Sequence, residues 1–190
     1  MLLLVGLGNP GSTYTNTRHN IGFKIIDAIN TQFKLSKQKP KFKGLLTTGN
    51  IEEKKIYAIK PLTFMNNSGT AIKELIDYFK IDAKNVFVFH DDMDIDFGKI
   101  KAKFGGSSAG HNGIESIDKF IGKDYSRVRI GIGHPKQKKK VNNHVLEDFK
   151  EDEEEKINEI AENIVKQLPT LIEKKIDLFS SKVNQDLNGI

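Results

Sequence analysis

The sequence predicts one α/β domain over residues 1–190, with a twisted, mixed, mostly parallel sheet, helices on both faces and further helices at the C-terminal end. Short apolar runs of strand length, Leu2–Val5 and Val86–His90, end abruptly in glycines or acids. Segments with helical spacing of apolar residues alternate with such strands, which favours a parallel sheet. A chain of 190 residues can bury one substantial core but is short for two ordinary domains.

The elements of the first half follow from spacing and turn residues. After the first strand, apolar residues recur at near-helical spacing from Ile21 to Phe33, and Asn20 precedes them at the cap position. The segments GLLTTGN and KKIYAIK, on either side of an acidic turn at Glu52 and Glu53, predict a strand pair that makes the sheet mixed. A second helix is expected over Ile72–Phe79, after the loop 66–69.

The second half continues the alternation. The segment KIKAK has the pattern of a half-exposed strand, GGSSAGHNG that of a flexible loop, and RVRIGIG that of another strand. Between the loop and that strand, Ile114, Ile117 and Ile121 indicate a short helix. An apolar stripe from Ile157 to Leu168 predicts a long helix, which we expect Pro169 to break before a further helix around 171–179.

Composition excludes several classes of protein and site. The chain has no cysteine, so disulfides, thiolate zinc sites and cysteine nucleophiles are excluded. No apolar segment approaches the roughly 20 residues that a membrane helix needs. The opening MLLLVGLGNPG is too short and too rich in glycine and proline for a secretory signal. We therefore expect a cytoplasmic protein without a membrane partner.

Lysines cluster in two segments of a chain whose formal net charge is +5. These clusters comprise Lys34, Lys37, Lys39, Lys41 and Lys43, and then Lys136, Lys138, Lys139 and Lys140. Separated basic patches favour a polyanionic partner such as nucleic acid. Lysine-rich loops are also common as ordinary solvated surface, so charge alone leaves both interpretations open.

The glycine-rich turn after the first strand permits a dinucleotide-binding interpretation, because Gly6, Gly8 and Gly11 satisfy G-x-G-x-x-G. Pro10 removes a backbone donor from the supposed phosphate loop, and helical periodicity starts only near Asn20. A tight turn that lets a substrate approach the backbone is therefore the favoured interpretation.

The acidic segment HDDMDIDFG permits a metal interpretation. It does not match a calcium loop, because the turn glycine would fall at Phe97 and the bidentate glutamate at Lys103. A divalent site built from His90, Asp91 and Asp92 stays open, although acids after a buried strand are commonly turn formers and caps. Without a second histidine at ligand spacing, we expect neither a metal nor another cofactor.

His19 and Asp91 form the candidate catalytic pair. His19 follows the glycine turn after the first strand, and Asp91 follows the other strongly buried strand. If those strands are neighbours, the two side chains meet at the same edge of the sheet, where α/β sites form. The carboxylate would orient the imidazole and stabilise the charge that it acquires on taking a proton. With no cysteine and no G-x-S-x-G motif, water is the simplest nucleophile.

Three asparagines, Asn9, Asn66 and Asn112, lie in separate loops beside small residues. Each is individually typical of a turn. Together they supply neutral donors and acceptors for an amide group or an acyl oxygen.

Five motifs now become recognisable in one order: NPG…Y…TRHN at 9–20, KP…TFMN.SG at 60–69, HDD.D at 90–94, GHNG at 110–113 and RIGIGHP at 129–135. Together they resemble the bacterial peptidyl-tRNA hydrolase family over nearly the whole chain. Each motif is modest alone, but five in register are specific. The resemblance implies a metal-free, usually monomeric cytoplasmic esterase with a mixed α/β sheet, acting on the acceptor end of peptidyl-tRNA.

Site roles follow from this resemblance position by position. It implies that His19 is the general base, Asp91 its orienting partner, and Asn9 the residue that reads the blocked amino group. The remaining implied contacts are Asn66 and Asn112 as substrate-holding amides; Tyr14, Phe64 and Met65 as cleft residues near the peptide and the tRNA 3′ end; and Lys103 and Arg129 as contacts of acceptor-stem phosphates.

One departure lies in the loop 105–110, where Ser107, Ser108 and Ala109 replace a more glycine- and histidine-rich sequence of some relatives. It bears on loop motion rather than on the chemistry. Two other classes stay open at this stage: a tRNA-binding module without catalysis, and a nucleotide- or metal-dependent enzyme.

Overall fold

Seven strands form one sheet in the computed structural model, which describes residues 1–135 and 141–189. Their order across the sheet is β2-β3-β4-β1-β5-β7-β6. The strands are β1 (Leu2–Gly6), β2 (Lys39–Lys41), β3 (Gly44–Ile51), β4 (Lys54–Pro61), β5 (Val86–Asp92), β6 (Ile100–Phe104) and β7 (Ser126–Gly131).

The sheet is mixed and mostly parallel, as predicted. β1 pairs in parallel with β4 on one side and β5 on the other, and β5 pairs in parallel with β7. β3 runs antiparallel to β2 and β4, and β6 runs antiparallel to β7. Only β3 and β6 therefore oppose the common direction. The carboxyl ends of β4, β1, β5 and β7 consequently share one edge of the sheet.

Helices cover both faces of this sheet. They are α1 (Ile21–Gln32), α2 (Ser68–Phe79), α3 (Asn112–Ile121), α4 (Val141–His144), α5 (Glu151–Ile172) and α6 (Ile176–Asn188). Apolar residues of α1, α5 and α6 form a buried cluster against one face, and those of α2 and α3 form a second cluster against the other. Two clusters of this kind are expected when each face of a buried parallel sheet packs on amphipathic helices.

Two glycines set how closely α1 lies against the sheet. A Cβ on Gly6 would collide with the backbone of Gly22, and a Cβ on Gly22 would collide with backbone atoms of Leu7 and Phe89. The missing side chains therefore allow the start of α1 to rest directly on β1 and β5. This close approach holds the residues just before α1 at the carboxyl edge of the sheet.

The structure corrects the expected break at Pro169. Helix α5 continues through Pro169 to Ile172, and α6 begins only at Ile176. Proline removes one helical hydrogen bond, but the last turn is held by the N–H of Glu173 on the Pro169 carbonyl (3.2 Å) and by burial of Leu171 and Ile172.

Part of the first lysine cluster lies at the edge of the sheet. Lys39 and Lys41 lie in β2, an exposed edge strand that was not predicted. Charged side chains on an edge discourage pairing with other chains. The second cluster, Lys136 to Lys140, lies outside the described residues.

Candidate active site

His19 and Asp91 are in direct contact at the carboxyl edge of the sheet. His19 Nδ1 lies 2.9 Å from Asp91 Oδ1 and 3.0 Å from Oδ2. Asp91 is near the end of β5, and His19 lies in a short turn that joins the β1 loop to α1. β1 and β5 are neighbours, which is the arrangement that the predicted pairing required.

His111, which sequence reasoning did not single out, is a second partner of Asp91. Its Nε2 lies 3.0 Å from Asp91 Oδ1. The N–H groups of Gly113 and Ile114, at the start of α3, donate to His111 Nδ1 at 3.1 and 3.3 Å. Because Nδ1 accepts these bonds, Nε2 carries the proton and donates to Asp91. His111 thus caps α3 and fixes the carboxylate that contacts His19.

Asp91 and His19 each stabilise the charged form of the other. Burial opposes ionisation of Asp91, but the two histidines outweigh it and hold the pKa of Asp91 well below its usual range. Burial likewise opposes the protonated form of His19, yet the charge of Asp91 and its hydrogen bond raise the pKa of His19 above its ordinary value. With Nδ1 donating to Asp91, neutral His19 has its lone pair on Nε2, away from the carboxylate.

The same three side chains are close enough to be considered as metal ligands, since their ligand atoms lie within 4.8 Å of one another. His111 Nε2, however, is fixed as a proton donor by the α3 N–H groups, and a metal ligand must offer a lone pair. This arrangement is better described as a carboxylate held by two N–H donors.

The divalent site suggested by His90, Asp91 and Asp92 is not assembled either. His90 Nδ1 contacts the Asp91 backbone carbonyl at 2.7 Å, whereas Asp92 accepts from Arg129 Nε at 2.7 Å. Burial is the main cause that lowers the pKa of His90 far below its ordinary value, so this ring is neutral.

Asn9 is held in a defined orientation by both its side chain and its backbone. Its Oδ1 accepts from the N–H of Met65 at 2.7 Å. Its backbone N–H and carbonyl both bond to the carboxamide of Asn20, at 2.8 and 2.9 Å. Since Oδ1 is already used, the group that Asn9 offers to a ligand is the Nδ2 donor.

The candidate catalytic pair and the three asparagines predicted from the sequence line one cavity of about 520 Å³. Asn9, His19 and Asp91 form part of its wall, and three further residues predicted from the sequence, Phe64, Met65 and Asn66, line it together with Asn112. Asn142, Val145 and Leu146 close it from the segment around α4. Met65 is buried, whereas Phe64 is 59% exposed. Tyr14, expected in the cleft, is not among its lining residues.

The basic pair Lys103 and Arg129 lies beside the cavity rather than in its wall. β6 and β7 follow β5 in the sheet, and Lys103 pairs with Arg127 in their register. Arg129 donates to Asp92, which does line the cavity. Burial and the charges of Arg129 and Arg127 lower the pKa of Lys103. Cations that oppose one another in this way would be stabilised by an added anion.

Arg18 anchors the segment that closes the cavity. Its buried guanidinium lies 2.8 Å from a Glu153 carboxylate oxygen and bonds to the carbonyls of His144 and Glu147. The backbone N–H of His19 donates to the Val145 carbonyl at 2.8 Å. The residue that bears the candidate base is therefore bound directly to the covering segment.

Comparison with known proteins agrees with the motifs. A family model described as peptidyl-tRNA hydrolase matches residues 3–189 of this chain. The chain belongs to the peptidyl-tRNA hydrolase family. A peptidyl-tRNA hydrolase of Pelagibacter ubique (strain HTCC1062) is 72% identical over 184 residues, which cover 97% of this chain and 99% of that protein.

More distant peptidyl-tRNA hydrolases match over most of their length, and a solved structure among them shares the fold. That of Ehrlichia canis (strain Jake) is 46% identical over 97% of this chain and 95% of its own. The crystal structure of the peptidyl-tRNA hydrolase from Acinetobacter baumannii superimposes with a TM-score of 0.91 at 33% identity, covering 97% of this chain and 94% of that one.

The sequence analysis missed the contacts of His111 and Arg18 in this member of the peptidyl-tRNA hydrolase family, and it placed Asn20 only as a cap of α1, where its side chain instead bonds the Asn9 backbone. His111 stands inside the recognised motif GHNG, and Arg18 and Asn20 stand inside TRHN. A signal for His111 was its position directly before the periodic residues of α3, where a side-chain acceptor caps the helix. No comparable local signal exists for Arg18, because its partners lie more than 120 residues away in the chain.

Proposed function

We propose that this chain hydrolyses the ester bond between a peptide, or an N-blocked aminoacyl group, and the 3′ end of tRNA, with His19 as general base. The observation that carries the proposal is the pairing of His19 Nδ1 with the buried Asp91 carboxylate at 2.9 Å. This pairing leaves Nε2 as the basic atom at a cavity that asparagine amides also line.

In the proposed reaction, Nε2 of His19 takes a proton from water while the water oxygen attacks the ester carbonyl carbon. The carbonyl π electrons move to the oxygen, which becomes an oxyanion, and Asp91 stabilises the imidazolium. Collapse of the intermediate breaks the bond to the ribose oxygen, which receives the proton from Nε2. The products are a free peptide and tRNA. Assistance of this kind typically contributes about 10²–10⁴-fold.

Asn9 is proposed to select blocked substrates through the direction of its amide. Its Oδ1 is bonded to the Met65 N–H, so it offers a donor. A blocked α-nitrogen carries an acyl carbonyl that can accept this bond. A free α-ammonium has only donors and would leave the amide unpaired, which is costly in a partly buried site.

Asn66 and Asn112 are proposed to hold the acyl group and to share the negative charge that develops on its oxygen. Both side chains line the cavity, from the loop before α2 and from the first residue of α3. Neutral amide donors can stabilise such an oxyanion without offering a competing charge.

Lys103 and Arg129 are proposed to bind acceptor-stem phosphates. They lie on β6 and β7, next to the cavity on the side of β5 away from β1. One chain supplies all of these groups, so we propose that the monomer is the active form. We also propose that it acts in the cytoplasm.

The test is to incubate the protein with N-acetyl-aminoacyl-tRNA and with unblocked aminoacyl-tRNA in the presence of EDTA. We expect hydrolysis of the first substrate only. The His19→Ala variant should lose turnover while a filter-binding assay still detects retention of tRNA. Absence of hydrolysis by the wild-type protein, or equal activity of the variant, would refute the proposal. Retention of tRNA without any hydrolysis would instead identify a tRNA-binding module.

A further inference from the structure

A second cavity, of about 420 Å³, lies on the other side of Asn9. One wall is formed by Asn20 and by residues of the loop after β1, from Pro10 to Asn16. Residues of α1, of the β3–β4 pair and of the segment just after β4 form the rest. None of the roles proposed so far uses this cavity.

The two cavities share their borders. Asn9 lines both of them. The segment that follows β4 also borders both, because Leu62 lines the second cavity and Phe64 the first. Leu62 and Phe64 are 41% and 59% exposed, so exposed apolar side chains of this segment border both cavities.

The residues that line the second cavity suit a ligand segment that carries no net charge and has some apolar surface. Phe23, Leu45 and Leu62 supply apolar surface. The ammonium of Lys60 lies 2.6 Å from Asp27 Oδ1 and 5.7 Å from the centre of the Phe23 ring. This pairing balances the charge of Lys60, and Glu154, at 3.0 Å, balances that of Lys24, which also lines the cavity. The Lys60 ammonium has three N–H donors. A peptide segment offers both apolar side chains and the carbonyl acceptors that such donors need.

The order of the strands gives the direction in which such a chain would run. Asp91 lies on β5, and Lys103 and Arg129 lie beyond it on β6 and β7. The second cavity is reached in the opposite direction, across β1, at the end of β4 and the start of β3. An ester carbonyl next to His19 stands between these two regions. The ribose and acyl substituents of this carbonyl point in different directions. If the tRNA lies on the β7–β6 side, the peptide therefore extends toward the β1–β4 side.

We infer that the second cavity binds the part of the peptide that lies beyond the residue esterified to tRNA, toward the peptide N-terminus. This inference rests on the proposed function and adds a subsite to it. It makes Lys60 and the apolar residues Phe23, Leu45 and Leu62 determinants of preference for longer peptides, separate from the reacting groups.

The kinetic test compares two substrates that share the tRNA and the esterified residue: an N-acetyl-aminoacyl-tRNA and an N-acetyl-tetrapeptidyl-tRNA with apolar residues. Wild-type protein should have the higher kcat/KM for the tetrapeptide. The double variant Leu45→Ala, Leu62→Ala should lose this advantage by about tenfold, the order of effect expected when apolar contacts in a pocket are removed. Its kcat/KM for the single-residue substrate should stay unchanged.

The matched control is Leu178→Ala. The side chain of Leu178 is 45% exposed, a fraction similar to that of Leu62. It lies on α6 and lines neither cavity. Equal kcat/KM of the wild-type protein for both substrates, or the same fractional loss on both in the double variant, would overturn the subsite. If the wild-type protein hydrolyses neither substrate, the proposed function itself fails, and the two failures are therefore distinguishable.

A binding measurement keeps the inference testable without turnover. The probe is a non-hydrolysable analogue with an amide in place of the ester, an N-acetyl-tetrapeptide linked to a 3′-amino adenosine, and a photoreactive residue third from the nucleoside. Cross-links should map to the segments around Leu45 and Leu62. Cross-links confined to the segment around Leu146, which closes the first cavity, would show that the peptide leaves by another route.

Discussion

The carboxamide of Asn20 holds the backbone of Asn9 by two hydrogen bonds. The Asn9 N–H donates to Asn20 Oδ1 at 2.8 Å, and Asn20 Nδ2 donates to the Asn9 carbonyl at 2.9 Å. Asn20 is only 2% exposed, so no water can replace these bonds easily. Asn20 is therefore a positioning residue for the amide that we propose to read the blocked substrate.

Asn20→Ala should lower kcat/KM for N-acetyl-aminoacyl-tRNA and also reduce the preference over unblocked substrate, because Asn9 loses its fixed orientation. Leaving two buried backbone groups unpaired costs about 1–3 kcal/mol each. Steady-state kinetics and urea unfolding would measure the two effects. Asn50→Ala, at an exposed position in β3, is the control. A variant that is less stable but has unchanged substrate preference would contradict the positioning role.

Asp91→Asn should change both the rate and its pH dependence. His19 acts as a base only when neutral, so activity rises as pH rises through the pKa of His19. Asp91 raises that pKa, and removing its charge leaves the opposing effect of burial. The acidic limb of kcat/KM should therefore move to lower pH, and the plateau should fall because the imidazolium loses its stabilising partner. A pH–rate profile with an unmoved limb would argue against this pairing.

The same substitution should alter the dependence of stability on pH. The pKa of Asp91 is depressed in the folded protein, so its contribution to stability is present above the ordinary aspartate pKa and is lost as pH falls toward the folded value. Urea unfolding below about pH 4, the ordinary aspartate pKa, should thus show a steeper loss of stability in the wild-type protein than in Asp91→Asn. Parallel curves would mean that Asp91 has the same pKa in both states.

Lys103→Ala and Arg129→Ala should weaken tRNA binding with little effect on kcat. Each removed phosphate contact should reduce the slope of log affinity against log salt by about 0.9, because fewer counterions are released. Filter binding over a range of salt concentrations measures this slope. Lys182→Ala, at an exposed position on α6, should leave the slope unchanged. An equal effect of all three variants would indicate a general charge effect instead of a phosphate site.

Local patterns predicted most elements because each depends on nearby residues. The apolar run of β5 spans a few residues and the apolar stripe of α5 a few helical turns, so both patterns are local, and both elements were predicted. Pro169 was misjudged because its effect depends on packing: buried Leu171 and Ile172 hold the last turn of α5 against the sheet. Strand β2 was missed because it has only three exposed residues and no apolar pattern.

By itself, the sequence determined the fold class, the family and the identity of His19 and Asp91 as a candidate pair, because these follow from local periodicity and ordered motifs. Only the tertiary structure decided which atoms of these residues meet, that His111 also holds Asp91, that Asn9 offers a donor, and that Tyr14 lies outside the lining of the cavity. These facts depend on the pairing of β1 with β5 and on the close approach of α1 at Gly22. Both join residues far apart in the chain, and no local pattern specifies the orientation of their side chains.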